Sequence, residues 1–272
     1  MSAWTFERPA TMHGLTARRV SVAAVERPAD GVIRVCFGGP GLDGFTSTGP
    51  GDHVKVFVPD PVTGVLTAPS TAPDGTFVRP DGPAISRDYT PIGMRGSGAA
   101  TRLDLDFMDH PAPGPATSWA RDARPGDEIV LAGPRGSRAA PTDLAGLLAA
   151  VDATALPSLS RWLGDLPAGT PAAAVVALEQ DETWLRGYLG AALDGVDVQV
   201  VGTGAEHLAE AVRARGPVGE GVFVVTAGEA TAITAVRRLV AREFALPAAQ
   251  YAASGYWRRG VTAFDHHTPL DD

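Results

Sequence analysis

Three closely spaced residues, Arg87, Tyr89 and Thr90, have the side chains needed to hold a flat ligand that carries phosphate. A guanidinium group can donate paired hydrogen bonds to a phosphate, and a phenol ring can stack on a planar ring system. The Thr90 hydroxyl can hydrogen-bond a ring nitrogen of such a ligand. An exposed arginine and tyrosine on an ordinary strand would give the same sequence pattern. This motif alone therefore does not distinguish a ligand site from an exposed pair on a strand.

A second candidate site begins at His110, in the segment HPAPGPATSW, where a predicted strand is followed by a helix that opens at Pro115. Free N–H groups in the first turn of a helix, with hydroxyl groups beside them, form an anion site suited to a pyrophosphate. The alternative is a plain helix start with proline at its first position and a structural role for His110. The candidate binding residues of this segment are His110, Gly114, Pro115, Ala116, Thr117 and Ser118.

Two further candidates follow buried strands of the second half, namely Asp152 and Thr154 in VDATALP, and Gly228 and Glu229 in AGEA. Open α/β sheets bind ligands where the carboxyl end of a strand turns into a helix. The sequence contains no GxGxxG motif, so it does not carry the dinucleotide fingerprint. The alternatives are a turn capped by Thr154, and a glycine turn whose acidic residue stabilises a helix dipole.

The segment GYWRRG near the C-terminus combines two aromatic and two basic side chains. The aromatic rings could cover the edge of a flat cofactor, and the arginines could hold an anionic ligand. Alternatively, the aromatic pair closes the last strand. The candidates for substrate binding are Tyr256, Trp257, Arg258 and Arg259.

The elements that must position these residues differ between the two halves. The first half contains short strand-like segments broken by Gly and Pro, such as GVIRVCF and TRLDLDF, which predict an antiparallel sheet or barrel. The alternation in TRLDLDF predicts one buried apolar face and one solvent-exposed face that carries Asp104 and Asp106. The second half alternates near-continuous apolar runs, such as AAVVAL and GVFVVTA, with helical segments, which predicts a parallel sheet of βα units. We predict domains at 15–138 and 139–272.

Composition limits the classes of partner. The chain has 272 residues, a net charge of −8 and a single cysteine, Cys36. The negative charge argues against nucleic acid as a partner, and one cysteine excludes a disulfide framework or a Cys-based metal site. No apolar run approaches the ~20 residues of a membrane helix, and the N-terminus lacks the pattern of a secretory signal. We therefore expect no stable membrane insertion, a cytoplasmic location and no metal ion held by the protein itself.

Taken together and in order, RDYT, HPAPGPATSWA, VDATALPS, AGEA and GYWRRG resemble the siderophore-interacting protein family, the ferric-siderophore reductase branch of the ferredoxin–NADP reductase-like flavoproteins. The resemblance spans about residues 15 to 260. It implies an antiparallel six-stranded FAD-binding barrel followed by a parallel-sheet α/β domain that binds a nicotinamide nucleotide.

The resemblance also implies residue roles. Arg87 would contact the FAD phosphates, Tyr89 would stack on the flavin, Thr90 would approach flavin N5, and the segment from His110 to Ser118 would hold the pyrophosphate and adenosine side. Asp152 and Thr154 would lie at the NAD(P)H site with Gly228 and Glu229 opposite, and Tyr256 to Arg259 would lie near the siderophore. The chain departs from the family pattern at Ile92, where an arginine is common, and at Val151 and Ala153.

The function implied is an FAD-dependent ferric-siderophore reductase, which passes electrons from NAD(P)H through flavin to chelated Fe(III) and releases Fe(II). Two alternatives stay open at this point. One is a flavin reductase of the same fold that serves another acceptor or receives electrons from ferredoxin. The other is a non-catalytic protein that binds flavin or siderophore.

Overall fold

The computed structural model describes residues 4–270, and these form two compact units. The first unit is Ala10–Ala139. The second contains the chain from Ala140 onward together with the short segment that precedes Ala10. None of the helices within residues 4–270 has the length and apolar character that a bilayer crossing requires.

The unit Ala10–Ala139 is built from strands, one α-helix and two single-turn 3-10 helices. Its elements are β1 (Ala10–Met12), β2 (Ala17–Ala29), β3 (Val32–Gly38), β4 (Val54–Phe57), β5 (Ser70–Thr71), β6 (Phe77–Val78), β7 (Ser86–Tyr89), β8 (Pro91–Arg95), β9 (Arg102–Met108), α1 (Pro115–Asp122), β10 (Glu128–Ala132) and β11 (Gly136–Arg138).

The main sheet of this unit is antiparallel and has the strand order β7-β4-β10-β2-β3-β9-β8. Its two edge strands, β7 and β8, are separated in the chain only by Thr90. The two edges therefore meet at Thr90, and the sheet curls back on itself. Counting β7 and β8 as one bent strand leaves six strands, which agrees with the barrel implied by the resemblance.

Apolar side chains from alternate positions of these strands fill the interior of the sheet, as a strand with one buried face requires. The helix α1 packs against the same core through Ala116, Ala120 and Trp119. Fully buried members of the core include Phe37, Phe107, Ile33, Leu103, Leu105, Ile129 and Leu131.

The expectation that Asp104 and Asp106 of β9 face solvent is wrong, because the two residues are only 5% and 4% exposed. Arginines on the neighbouring strands cover them. Arg34 of β3 lies opposite Asp106 and donates two hydrogen bonds, of 2.8 and 2.7 Å, to its carboxylate. Arg95 of β8 forms an ion pair with one carboxylate oxygen of Asp104, whereas the other oxygen, Oδ1, is buried without a hydrogen bond in the part of the chain that the structure describes. The cross-strand pair with Arg34 therefore satisfies the Asp106 carboxylate, which has lost its water.

The second unit contains a five-stranded, fully parallel sheet with the strand order β14-β13-β12-β15-β16. Numbered from β12, this order is 3-2-1-4-5, that of a doubly wound nucleotide-binding fold. The prediction of a parallel sheet of βα units is confirmed. Its elements are β12 (Gly146–Asp152), α2 (Leu156–Gly164), β13 (Ala172–Ala177), α3 (Glu182–Leu189), β14 (Asp197–Val201), α4 (His207–Arg215), β15 (Val222–Glu229), α5 (Ala230–Arg238) and β16 (Tyr251–Trp257).

The segment that precedes β1 packs on this second unit. Phe6 is buried with its ring centroid 5.9 Å from that of Phe223, and Arg8 lies over the Trp162 ring at 4.9 Å. The backbone N–H of Thr5 donates to Asp143 at 2.9 Å. The unit that follows residue 139 in the chain is therefore completed by residues from the N-terminus.

Candidate functional site

Tyr89 is the last residue of β7 and lies next to the seam at which the curled sheet closes. Its half-buried ring packs against Phe107, with centroids 4.2 Å apart and planes tilted by 40°. Burial raises the pKa of the Tyr89 phenol to about 12, and a hydrogen bond with the Thr117 side chain acts in the opposite direction. The phenol is therefore neutral at any physiological pH.

Arg87 precedes Tyr89 by two residues on the same strand, so both side chains leave the same face of β7. The positive charge of Arg87 acts on the Tyr89 phenol and favours its ionised form, which places the two groups close together. The Arg87 guanidinium donates to the carbonyl of Ser86 at 2.7 Å, its only hydrogen bond to another group within residues 4–270. Most of its N–H donors are therefore available to a ligand.

The helix α1 begins at Pro115 with Gly114 as its N-cap, and no side chain caps it. The N–H groups of its first turn are consequently left for water or a ligand. A Cβ atom added at Gly114 would meet no heavy atom within 4 Å, so the approach to this helix start is open. Phe107 links α1 to the end of β7, because its ring packs against Trp119 of α1 at 6.1 Å and against Tyr89 at 4.2 Å between centroids.

The His110 side chain makes no hydrogen bond to Arg87, Tyr89 or the first turn of α1. Its imidazole is exposed and has no hydrogen-bond partner within residues 4–270. Its backbone carbonyl accepts a hydrogen bond of 2.7 Å from Arg121, which also pairs with Asp109. The last turn of α1 thus fixes the start of the loop, while Ser118 closes the first turn by donating its N–H to Gly114 at 2.9 Å.

These groups fit a flavin dinucleotide. An accessible guanidinium and an uncapped helix start offer donors to a pyrophosphate, and the helix dipole favours an anion there. The neutral Tyr89 ring and the buried Thr90 at the seam offer a surface and a hydroxyl to a planar ring. The structure thus brings Arg87, Tyr89 and the first turn of α1 to one place.

The departure at Ile92 coincides with a bulge. The pairing of β8 with β9 shifts between Pro91 and Gly93, so Ile92 is the extra residue on β8. Arg95 does not replace the arginine that is common at position 92, because its guanidinium is bound to Asp104 and to the sulfur of Cys36. Of Arg87 and Arg95, Arg87 is therefore the one whose guanidinium keeps donors available to a ligand.

In the second unit, Asp152 joins three strands at the carboxyl edge of the parallel sheet. One carboxylate oxygen accepts from the N–H and hydroxyl of Thr154 at 2.8 and 2.6 Å. The other accepts from the N–H of Glu229 at 2.8 Å and from the indole of Trp257 at 2.9 Å. Burial raises the pKa of Asp152, and these hydrogen bonds oppose that shift. All four acceptor positions of the carboxylate are occupied, so Asp152 positions its neighbours and has no acceptor left for a ligand.

Gly228 and Glu229 belong to the same network. Gly228 has φ of 143° and lies against the Asp152 carboxylate. The Glu229 side chain caps α5 by accepting from the N–H groups of Thr231 and Ala232 at 2.7 and 3.0 Å. The four predicted nucleotide-site residues therefore come together, with their carboxylates used to shape the edge of the sheet. Val151 is buried within β12, where its side chain fills the core.

The GYWRRG segment lies at the end of β16 and is tied to this network. The Tyr256 hydroxyl hydrogen-bonds Ser158 of α2, and burial raises the pKa of Tyr256. Arg258 lies over the Phe264 ring at 5.5 Å. The exposed Arg259 donates its backbone N–H to Glu229 at 3.1 Å, and its side chain makes no hydrogen bond to the residues that the structure describes. Sequence reasoning missed the role of Ser158 toward Tyr256 and that of the Trp257 indole toward Asp152, since no local signal pairs residues so far apart in the chain.

A barrel that offers a phosphate and ring site, followed by a doubly wound parallel sheet, defines the class of flavin- and nicotinamide-nucleotide-dependent oxidoreductases. Residues 21–138 match the siderophore-interacting FAD-binding domain, and residues 144–260 match the siderophore-interacting protein model. The chain belongs to the siderophore-interacting protein family, as the sequence motifs predict.

Similar proteins agree with this assignment. An NADPH-dependent ferric-chelate reductase of Escherichia coli (strain K12) is 38% identical over 188 residues, which is 68% of this chain and 71% of the relative. The ferric vibriobactin reductase ViuB of Vibrio cholerae is 28% identical over 258 residues, 87% of each chain. The crystal structure of a siderophore utilization protein from T. fusca superposes with a TM-score of 0.81 at 32% identity, covering 96% of this chain and 100% of that one.

Proposed function

We propose that this protein is an FAD-dependent ferric-siderophore reductase that uses a reduced nicotinamide nucleotide as electron donor. The observation that carries the proposal is that Tyr89 of β7 and Trp119 of α1 both pack on the Phe107 ring, with centroid distances of 4.2 and 6.1 Å, which joins the two motifs that would hold the flavin. The names of the relatives, a ferric-chelate reductase and a ferric vibriobactin reductase, support the choice of acceptor.

Reduction opens an iron chelate without cutting the chelator. Fe(III) is a hard ion that siderophore oxygens bind tightly, and the same oxygens hold the softer Fe(II) far more weakly. One nucleotide supplies a hydride, hence two electrons, and each ferric ion takes one. The balanced reaction converts one NAD(P)H and two Fe(III) into NAD(P)⁺, one proton and two Fe(II). When bound, FAD supplies the conversion between two-electron and one-electron transfer.

In this proposal the barrel unit binds and orients the flavin. Arg87 and the first turn of α1 hold the phosphates, and Tyr89 offers its neutral ring to the isoalloxazine. Thr90, buried at the seam, would offer its hydroxyl to a ring nitrogen of the flavin. Because Tyr89 also packs on Phe107, the barrel core fixes the position of the ring.

The α/β unit binds the donor and contributes charge for the acceptor. The network around Asp152 holds the ends of β12, β15 and β16 in register, which shapes the edge where the nucleotide binds. Arg259 has an exposed side chain at the end of β16 and would attract an anionic siderophore, with Arg258 beside it. We place the reaction in the cytoplasm, where reduced nicotinamide nucleotides are available.

The test is an anaerobic assay with the FAD-loaded protein. NADH, NADPH and reduced ferredoxin are supplied separately as donors, and flavin absorbance and Fe(II) trapping by ferrozine are followed with a ferric catecholate and a ferric hydroxamate. We expect a nicotinamide nucleotide to bleach the flavin and two Fe(II) to appear per nucleotide. A flavin that stays oxidised with both nucleotides, or bleaching without any Fe(II), would contradict the proposal. Reduction of the flavin by ferredoxin alone would also contradict it, because the proposed donor is a nicotinamide nucleotide.

A further inference from the structure

The strand order of the second unit indicates which side of its sheet receives the adenosine half of a nucleotide. In the 3-2-1-4-5 order, the ligand lies outside the carboxyl ends of the strands, at the point where the order reverses on either side of the first strand. The adenosine ribose then lies toward the second strand, and an acidic residue following that strand hydrogen-bonds the ribose 2′-hydroxyl of NAD. Here the first strand is β12 and the second is β13.

Glu179 occupies that position. It lies two residues beyond Ala177, the last residue of β13, and its side chain is exposed. The other two acids of this turn are already used. Asp181 accepts the N–H of Trp184 at 2.9 Å, and Glu182 pairs with Arg186 at 2.7 Å. Within residues 4–270, Glu179 has neither a hydrogen bond nor an ion pair, so its carboxylate is available.

The loops at this part of the sheet offer no lysine or arginine to a 2′-phosphate. The loops that follow β13 and β14, residues 178–181 and 202–206, contain no arginine or lysine. His207 accepts the N–H of Gly204 at its Nδ1, at 3.2 Å. A Cβ at Gly202 would lie 2.9 Å from that ring, and one at Gly204 would lie 2.8 Å from it, so the loop is folded closely around the imidazole.

We infer that the donor is NADH in preference to NADPH, and that Glu179 selects it by accepting a hydrogen bond from the adenosine 2′-hydroxyl. This inference rests on the proposed function for the use of a nicotinamide nucleotide. A 2′-phosphate would bring two negative charges against a free carboxylate, and like charges so placed disfavour binding strongly. The inferred preference is the opposite of the one in the name of a relative, the NADPH-dependent ferric-chelate reductase of Escherichia coli.

The test compares both nucleotides on the FAD-loaded protein and on two charge-reversal variants. Glu179→Arg offers a cation to the 2′-phosphate. Glu220→Arg makes the same change in charge at an exposed residue just before β15, at the amino ends of the strands and away from the predicted nucleotide site. Flavin reduction gives kcat/KM for NADH and NADPH, and calorimetric titration with NAD⁺ and NADP⁺ gives dissociation constants that do not depend on turnover.

We expect the unaltered protein to prefer NADH by at least about tenfold in both measurements. Glu179→Arg should shift the ratio toward NADPH by about tenfold or more, while Glu220→Arg leaves it unchanged. Equal or stronger use of NADPH by the unaltered protein, no shift in Glu179→Arg, or binding of neither nucleotide would overturn the inference. If NAD⁺ binds selectively but no Fe(II) appears, the proposed function fails and the inference stands.

Discussion

A Cβ atom at position 228 would lie 2.4 Å from the Cγ atom of Asp152, so the residue facing that carboxylate must be glycine. The φ angle of 143° at Gly228 disfavours any other residue independently of this contact. Position 228 therefore lets β15 pass close to the carboxylate that also binds β16.

Gly228→Ala should be strongly destabilising, because the methyl group would push the buried Asp152 carboxylate out of its hydrogen bonds. We expect the free energy of unfolding in urea to fall by about 3 kcal/mol or more. Gly216→Ala is the matched control, since Gly216 also has positive φ (87°) but open space around it. That control should cost about 1 kcal/mol of backbone strain. Equal losses for the two variants would show that the contact with Asp152 is unimportant.

Tyr89 should make stability depend on alkaline pH. Its pKa of about 12 in the folded protein exceeds the ordinary value of 10.0, so the neutral phenol stabilises the fold fully below pH 10. This contribution is lost as the pH rises through about 12. In flavin-free protein, the difference in unfolding free energy between the unaltered chain and Tyr89→Phe should shrink by about 1 kcal/mol from pH 8 to pH 11. It should be constant from pH 6 to pH 8, and a difference that grows above pH 8 would contradict this account.

Arg87→Ala should reduce the retention of FAD. Loss of charge-assisted hydrogen bonds to phosphate should weaken FAD binding by about 10- to 100-fold, measured as flavin fluorescence quenching on titration of the flavin-free protein. The control is Arg79→Ala, since Arg79 is exposed and has no hydrogen bond or ion pair within residues 4–270. Unchanged affinity in Arg87→Ala would remove this residue from the flavin site.

Arg259→Ala should raise KM for an anionic ferric siderophore and leave KM for the nicotinamide nucleotide unchanged. The substitution keeps the backbone N–H that binds Glu229, so the end of β16 should stay in place. We expect about a fivefold increase in KM at low ionic strength, which diminishes as salt is added. Arg242→Ala, at another exposed arginine, is the comparison. An identical KM in the two variants at low salt would exclude Arg259 from substrate attraction.

The fold was largely predictable because period-two alternation and long apolar runs are local signals. Which side chains meet within the sites was harder to predict from the sequence. Asp104 and Asp106 look solvent-exposed until the register places Arg34 opposite Asp106 and Arg95 beside Asp104. Likewise, Asp152 resembles a free ligand in the sequence, since Trp257, which occupies one of its oxygens, lies 105 residues away. A single sequence contains no record of such distant pairs.

The packing of Phe6 against Phe223 determines which unit can be completed first during synthesis. A ribosome releases the N-terminus first, and domains generally fold as they emerge. The barrel unit can therefore fold before Phe6 and Arg8 contact Phe223 and Trp162, which are translated more than a hundred residues later. A fragment cut to begin at residue 140 would lack this cover for Phe223 and Trp162, so excising the nucleotide-binding half on its own would uncover two large aromatic rings.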